Sequence, residues 1–126
     1  MNIDLHLLAG VFAVCRLDAA AELPAAPSPP GSFWSVTRTA HELSVICAED
    51  SIPEGAVVER GWRCLRVAGP LDFALAGIAA ALTTPLAAAG VSVLPVATFD
   101  TDYLFVREAS LARALAVLAA AGHRVP

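Results

Sequence analysis

Charge is scarce in this chain. Only 16% of its 126 residues are charged, and eight basic side chains face twelve acidic ones. The net charge of −4 and isoelectric point near 5.2 exclude nucleic acid as a partner, which requires a basic footprint. Basic amphipathic segments are also lacking, so a membrane surface is excluded as a partner. Cysteine is equally sparse. Cys15, Cys47 and Cys64 stand far apart in sequence and lack metal-ligand spacing, an odd set that suits free buried thiols in a reducing cytoplasm. The apolar run Leu5 to Cys15 is too short to span a bilayer. It follows Asp4 where a signal peptide carries positive charge, and no small-x-small cleavage site comes after it. With no glycine-rich phosphate loop and no metal-ligand cluster either, the expectation is a cytoplasmic protein without a cofactor.

Apolar material, by contrast, is abundant: 57% of residues are hydrophobic and the mean hydropathy is +0.67. A chain of this length forms one compact domain or two very small ones, and it leaves much of its surface exposed. The surplus therefore predicts a subunit interface, with the chain acting as a homodimer or higher homo-oligomer.

Along the chain, Ile3 to Leu17 reads as two short strands broken at Ala9-Gly10. Ala19 to Gly31 is an Ala/Pro connector, with room for one helical turn. Phe33 to Arg38 and Leu43 to Cys47 form a hairpin across Thr39-Ala40-His41-Glu42. Ala48 to Gly61 reads as a loop with a short helix. Arg63 to Val67 is a strand. Leu71, Leu75, Ile78, Leu82 and Leu86 recur at helical spacing, predicting a helix over Leu71 to Ala89 that Pro85 kinks or restarts. Gly90 suits a left-handed helix end. Val91 to Phe99 pairs with Tyr103 to Arg107, and Ser110 is placed to cap a last helix over Leu111 to Ala121.

Strand-helix-strand-strand-helix predicts an α+β fold of the ferredoxin-like βαββαβ type. In it the strand after the first helix lies at a sheet edge, where Pro95 is tolerated. A fourth strand is missing from this half, and the N-terminal strands are the available donors.

Several segments carry a family resemblance. They are Gly69-Pro70-Leu71-Asp72-Phe73, Pro85 to Val93, Ala97 to Tyr103, and Val106-Arg107-Glu108, with Phe33 to Thr39 and Glu42 to Val45 upstream. Together they resemble small bacterial tandem ACT-domain proteins, similar to the regulatory part of aspartate kinase and to cytosolic arginine sensors. The resemblance implies two ACT-like subdomains packed together, a degenerate N-terminal one over 1–61 and a C-terminal ACT domain over 62–126. It also implies an oligomer and amino-acid binding without catalysis. Pro95 and Ala97 depart from the pattern, which commonly has a β-branched residue or Met and a Ser.

A free amino acid offers a carboxylate and an ammonium. The turn Gly69 to Phe73 opens a helix whose first amides are free donors, and Asp72 is a candidate ammonium partner. Gly90, Val91, Ser92 and Val93 begin the edge strand, where backbone groups are open to a ligand. The resemblance implicates positions matching Asp72, Ser92 and Val93, and it adds Gly69, Leu71, Phe73, Thr98 and Asp102 to the candidate site. Each has a plainer reading. Asp72 complements a helix dipole, Ser92 is the polar position of a strand, Asp100 and Asp102 form a turn, and Gly90 ends a helix.

Catalysis is not expected. His41 and Cys47 are the nearest approach to a nucleophile pair, but they lie about 20 Å apart at strand rise. Two readings remain: a regulatory amino-acid-binding module acting on a partner protein, or a pure oligomerisation module with no ligand.

Overall fold

The computed structural model describes residues 1–28, 31–69 and 77–126. The elements run β1 (Leu5–Leu7), β2 (Phe12–Leu17), β3 (Ser35–Arg38), β4 (Leu43–Ala48), β5 (Val57–Val67), α1 (Ile78–Ala88), β6 (Val93–Ala97), β7 (Asp102–Arg107) and α2 (Leu111–Ala120). Contacts divide the chain into two compact units. One is Ala9–Trp62; the other joins Met1–Leu8 to Arg63–Pro126, so the first eight residues associate with the C-terminal half.

In the unit Ala9–Trp62 the strands lie in the order β3-β4-β2-β5, all antiparallel. The hairpin turn is held by the Thr39 hydroxyl oxygen, which accepts from the amides of His41 and Glu42 at 3.1 and 3.2 Å. Alternation along β4 buries Leu43, Val45 and Cys47. Ala13 and Cys15 of β2 meet Val45 and Cys47 in one apolar cluster, covered by Trp34, Val36 and Ile52. The connector has no helical turn among its described residues; the Arg38 guanidinium holds it by donating to the carbonyls of Ala19 and Ala21.

The sequence reading of a loop through Gly61 is corrected here. Only Glu49–Ser51 is a short 3-10 turn, and β5 already begins at Val57. Gly61 sits inside the strand at φ +80, where the register against β2 shifts between Phe12 and Val14. This is a bulge, and the Gly61 amide donates to Glu49 Oε2 at 2.8 Å. A glycine after Glu59-Arg60 looks like loop punctuation in sequence; in space it bends a strand.

In the other unit the order is β1-β5-β7-β6. This is the fourth-first-third-second order of a ferredoxin-like sheet, with β1 in the fourth place. Leu5, His6 and Leu7 pair antiparallel with Val67, Arg66 and Leu65. The Leu5 amide also donates to the Arg124 carbonyl, and the Arg124 amide to the Ile3 carbonyl, at 2.8 and 2.9 Å. The core between sheet and helices contains Leu5, Leu65, Val67, Leu82, Leu86, Leu104, Val106 and Leu118.

The helices differ in detail from expectation. Residues 71–76 of the predicted helix lie outside the described residues, and α1 starts at Ile78 after Gly77, whose φ of +84 interrupts a helical path. Pro85 lies within α1 without restarting it. A 3-10 turn, Glu108–Ser110, precedes α2, and the Ser110 side chain makes no cap bond. Pro95 is on the edge strand, as the topology requires.

Candidate functional site

The end of β5, the β6–β7 turn and the first turn of α1 belong to the same unit. The turn is internally braced: the amide and the hydroxyl of Thr98 both donate to the Thr101 carbonyl at 2.9 Å. Thr101 is 3% exposed, and its hydroxyl donates to the Val67 carbonyl at 2.6 Å. The turn is thereby fastened to the end of β5, two residues before Gly69. Sequence reasoning missed Thr101, because a threonine between two aspartates in a polar turn looks like surface.

Beside this turn lies a cavity of about 220 Å³ lined by Ala79, Leu82, Pro95, Val96, Ala97, Asp102 and Leu104. Its origin is legible in the register. Pro95 is opposite Leu104 and Ala97 is opposite Asp102, so these four share the sheet face on which Leu104 meets the helix core. Across from them α1 presents Leu82 and the single methyl of Ala79. Small side chains on both sides leave the space open. Among the described residues Asp102 is the only charged one in the lining.

The predicted site residues divide among several places. Gly69 is exposed just beyond β5, and Leu71, Asp72 and Phe73 lie outside the described residues. Gly90 has φ +75 and donates to the Ala87 carbonyl, while the Val91 amide donates to the Leu86 carbonyl, at 3.0 and 2.9 Å. This paired arrangement closes the C-terminus of α1 and occupies both amides. Ser92 is exposed, and Val93 starts β6 opposite Val106. Thr98 and Asp102 come together at the other end of β6, and of the described ones among these residues only Asp102 lines the cavity.

The thiols are of the unreactive kind. Cys15 and Cys47 approach to 4.0 Å between sulfurs, both buried. Burial pushes Cys47 and Cys64 up to about 12. His41 is exposed in its hairpin turn whereas Cys47 is enclosed. Among the described residues no group of three or more His, Cys, Asp or Glu is placed to hold a metal ion. No helix among them is long and apolar enough to cross a membrane.

Comparison with known proteins places this geometry. A family model of the ACT domain matches residues 57–120, and a second model, described as an N-terminal domain, matches residues 10–55. The cytosolic arginine sensor for mTORC1 subunit 1 of Bos taurus is 34% identical over a match 98 residues long that covers 69% of this chain and 30% of that protein. The chain thus spans under a third of that relative's length. A crystal structure of a protein from Agobacterium tumefaciens is similar over the whole of this chain and 93% of its own, with a TM-score of 0.92 and 38% identity. Aspartate kinase of Clostridium acetobutylicum shares the fold at a TM-score of 0.69 and 12% identity, over 96% of this chain and 35% of the kinase. By the match over residues 57–120, which is half of its length, the chain belongs to the ACT-domain family.

Proposed function

We propose that this chain is a non-catalytic regulatory module that binds a free amino acid and acts as a homodimer on a partner protein. The observation that carries this reading is the coincidence of the ACT match with a unit whose edge strand β6 pairs, among the described residues, on one side only. An unpaired strand edge offers main-chain donors and acceptors to a ligand or a second subunit. The arginine-sensor relative supports an amino acid as the ligand class. Within this reading the site includes Gly69, Leu71, Asp72, Phe73, Ser92, Val93 and Asp102.

A second reading, an oligomerisation module without a ligand, is favoured by the helix surfaces. Ala80, Ala88, Ala112, Ala116 and Ala119 are exposed on α1 and α2, and the amides of Gly90 and Val91 are already occupied. Thermal-shift measurement of the purified chain against the twenty amino acids separates the two. A ligand at about 100 times its Kd adds about 2.7 kcal/mol, a rise of several degrees in Tm. One or two hits support the sensor; no shift at millimolar ligand, with a dimer in sedimentation, supports the second reading.

A further inference from the structure

We infer that the cavity beneath the edge strand takes the side chain of an aliphatic amino acid of the valine, leucine or isoleucine class, with Asp102 receiving its ammonium. The inference rests on the amino-acid-binding reading and adds to it a position and a ligand class. Size is the first argument. At about 220 Å³ the cavity falls below the roughly 300–1,000 Å³ typical of sites for drug-sized ligands, and it suits a molecule of amino-acid dimensions.

Chemistry is the second. Ala79, Leu82, Pro95, Val96, Ala97 and Leu104 offer only hydrocarbon side chains. An arginine or lysine side chain buried there would need acceptors beyond the one carboxylate that the described lining residues supply, and that carboxylate is already required by the ligand's own ammonium. Ala97 supplies no hydroxyl, and the Pro95 nitrogen carries no proton to donate. The two positions at which the sequence departs from the family pattern both line this wall, and both departures make it more apolar. An apolar wall discriminates only weakly among aliphatic ligands, by roughly 10–200-fold per methylene, so the class is assigned and not one member.

The test is isothermal titration of the full chain with L-valine, L-leucine, L-isoleucine, L-arginine, L-lysine and L-glutamate. The expected result is binding of at least one aliphatic amino acid at least tenfold tighter than arginine, lysine or glutamate. Asp102→Asn, close to isosteric, should weaken that binding at least tenfold. Ala97→Leu, which fills the space, should abolish it while circular dichroism and Tm show a folded chain. Tightest binding of a charged amino acid overturns the inference and leaves the amino-acid reading intact. Aliphatic binding unchanged in both variants overturns the position assigned to it. Binding of none of the six, confirmed by a flat screen of all twenty, overturns the inference together with the reading on which it rests.

Discussion

His123 donates from Nε2 to the carbonyl of Ala81 at 2.9 Å, and that carbonyl is the one Pro85 cannot serve. In a regular helix the amide four residues on would bond Ala81, but proline has none. The ring's other nitrogen, Nδ1, accepts the Ile3 amide at 3.2 Å, so one neutral tautomer joins α1 to the N-terminal segment. The ring is 5% exposed. His123→Leu should therefore destabilise the fold by about 1–3 kcal/mol, since it strands a carbonyl and an amide. Pro85→Ala restores the helical donor to Ala81. In that background the cost of His123→Leu should fall by about 0.5 kcal/mol or more, as read from urea midpoints in a double-mutant cycle. Equal costs in both backgrounds would show that the histidine does not compensate the proline.

Two glycines at positive φ should respond differently to alanine. Gly90, at φ +75, has open space where a Cβ would stand, so Gly90→Ala should cost only the left-handed backbone term of about 1–2 kcal/mol. At Gly122, φ +93, a Cβ would meet Asn2 Oδ1 at 2.8 Å. Gly122→Ala should cost more, and Asn2→Ala should recover the steric part while leaving the backbone part. Thermal denaturation of the three variants and the double variant checks this.

How much of this was legible in the sequence depends on the range of the interactions. Local signals placed β2, β3, β4, α2 and the helix end at Gly90, because periodicity and turn chemistry act over a few residues. The edge position of β6 followed from Pro95 and topology. What failed was non-local. The bulge at Gly61 depends on β2 and Glu49 facing it. The N-terminal strands are the expected donors of the fourth strand, and Leu5–Leu7 fills that place by pairing across some sixty positions of sequence. The candidate site shows the same division. Asp102 was named from a motif, but the cavity it lines arises from residues on three elements, the small ones on α1 and β6, that only the fold brings together.

The buried thiols give a pH dependence of definite sign. Cys47 and Cys64 ionise in the fold only near about 12, against an ordinary value of 9.0 in the open chain. Their folded values are raised, so the stability tied to the neutral thiols is complete below pH 9.0 and declines as pH rises from there toward 12. Urea midpoints should fall between pH 8 and pH 10.5, and should fall less in Cys64→Ala. In the native chain at pH 8 a thiol reagent should find no reactive cysteine, and in denaturant it should find three. Rapid labelling of the native protein would contradict the enclosure of these side chains.

The fastening of the β6–β7 turn to β5 makes the final prediction. The Thr101 hydroxyl reaches the Val67 carbonyl from a position with almost no solvent, so no water is available to replace it. Thr101→Val keeps the shape, removes the donor, and should cost about 1–3 kcal/mol. Thr101→Ser keeps the donor, loses one methyl, and should cost less, about 1 kcal/mol. If packing alone fixed the turn, the order would reverse, because valine preserves the buried volume and serine does not. Guanidinium denaturation of the two variants thus separates a hydrogen-bonded clasp from a merely well-filled corner. The same clasp positions Asp102, the next residue, so Thr101→Val should also weaken any ligand that Asp102 holds, whereas Thr101→Ser should bind it nearly as the parent does.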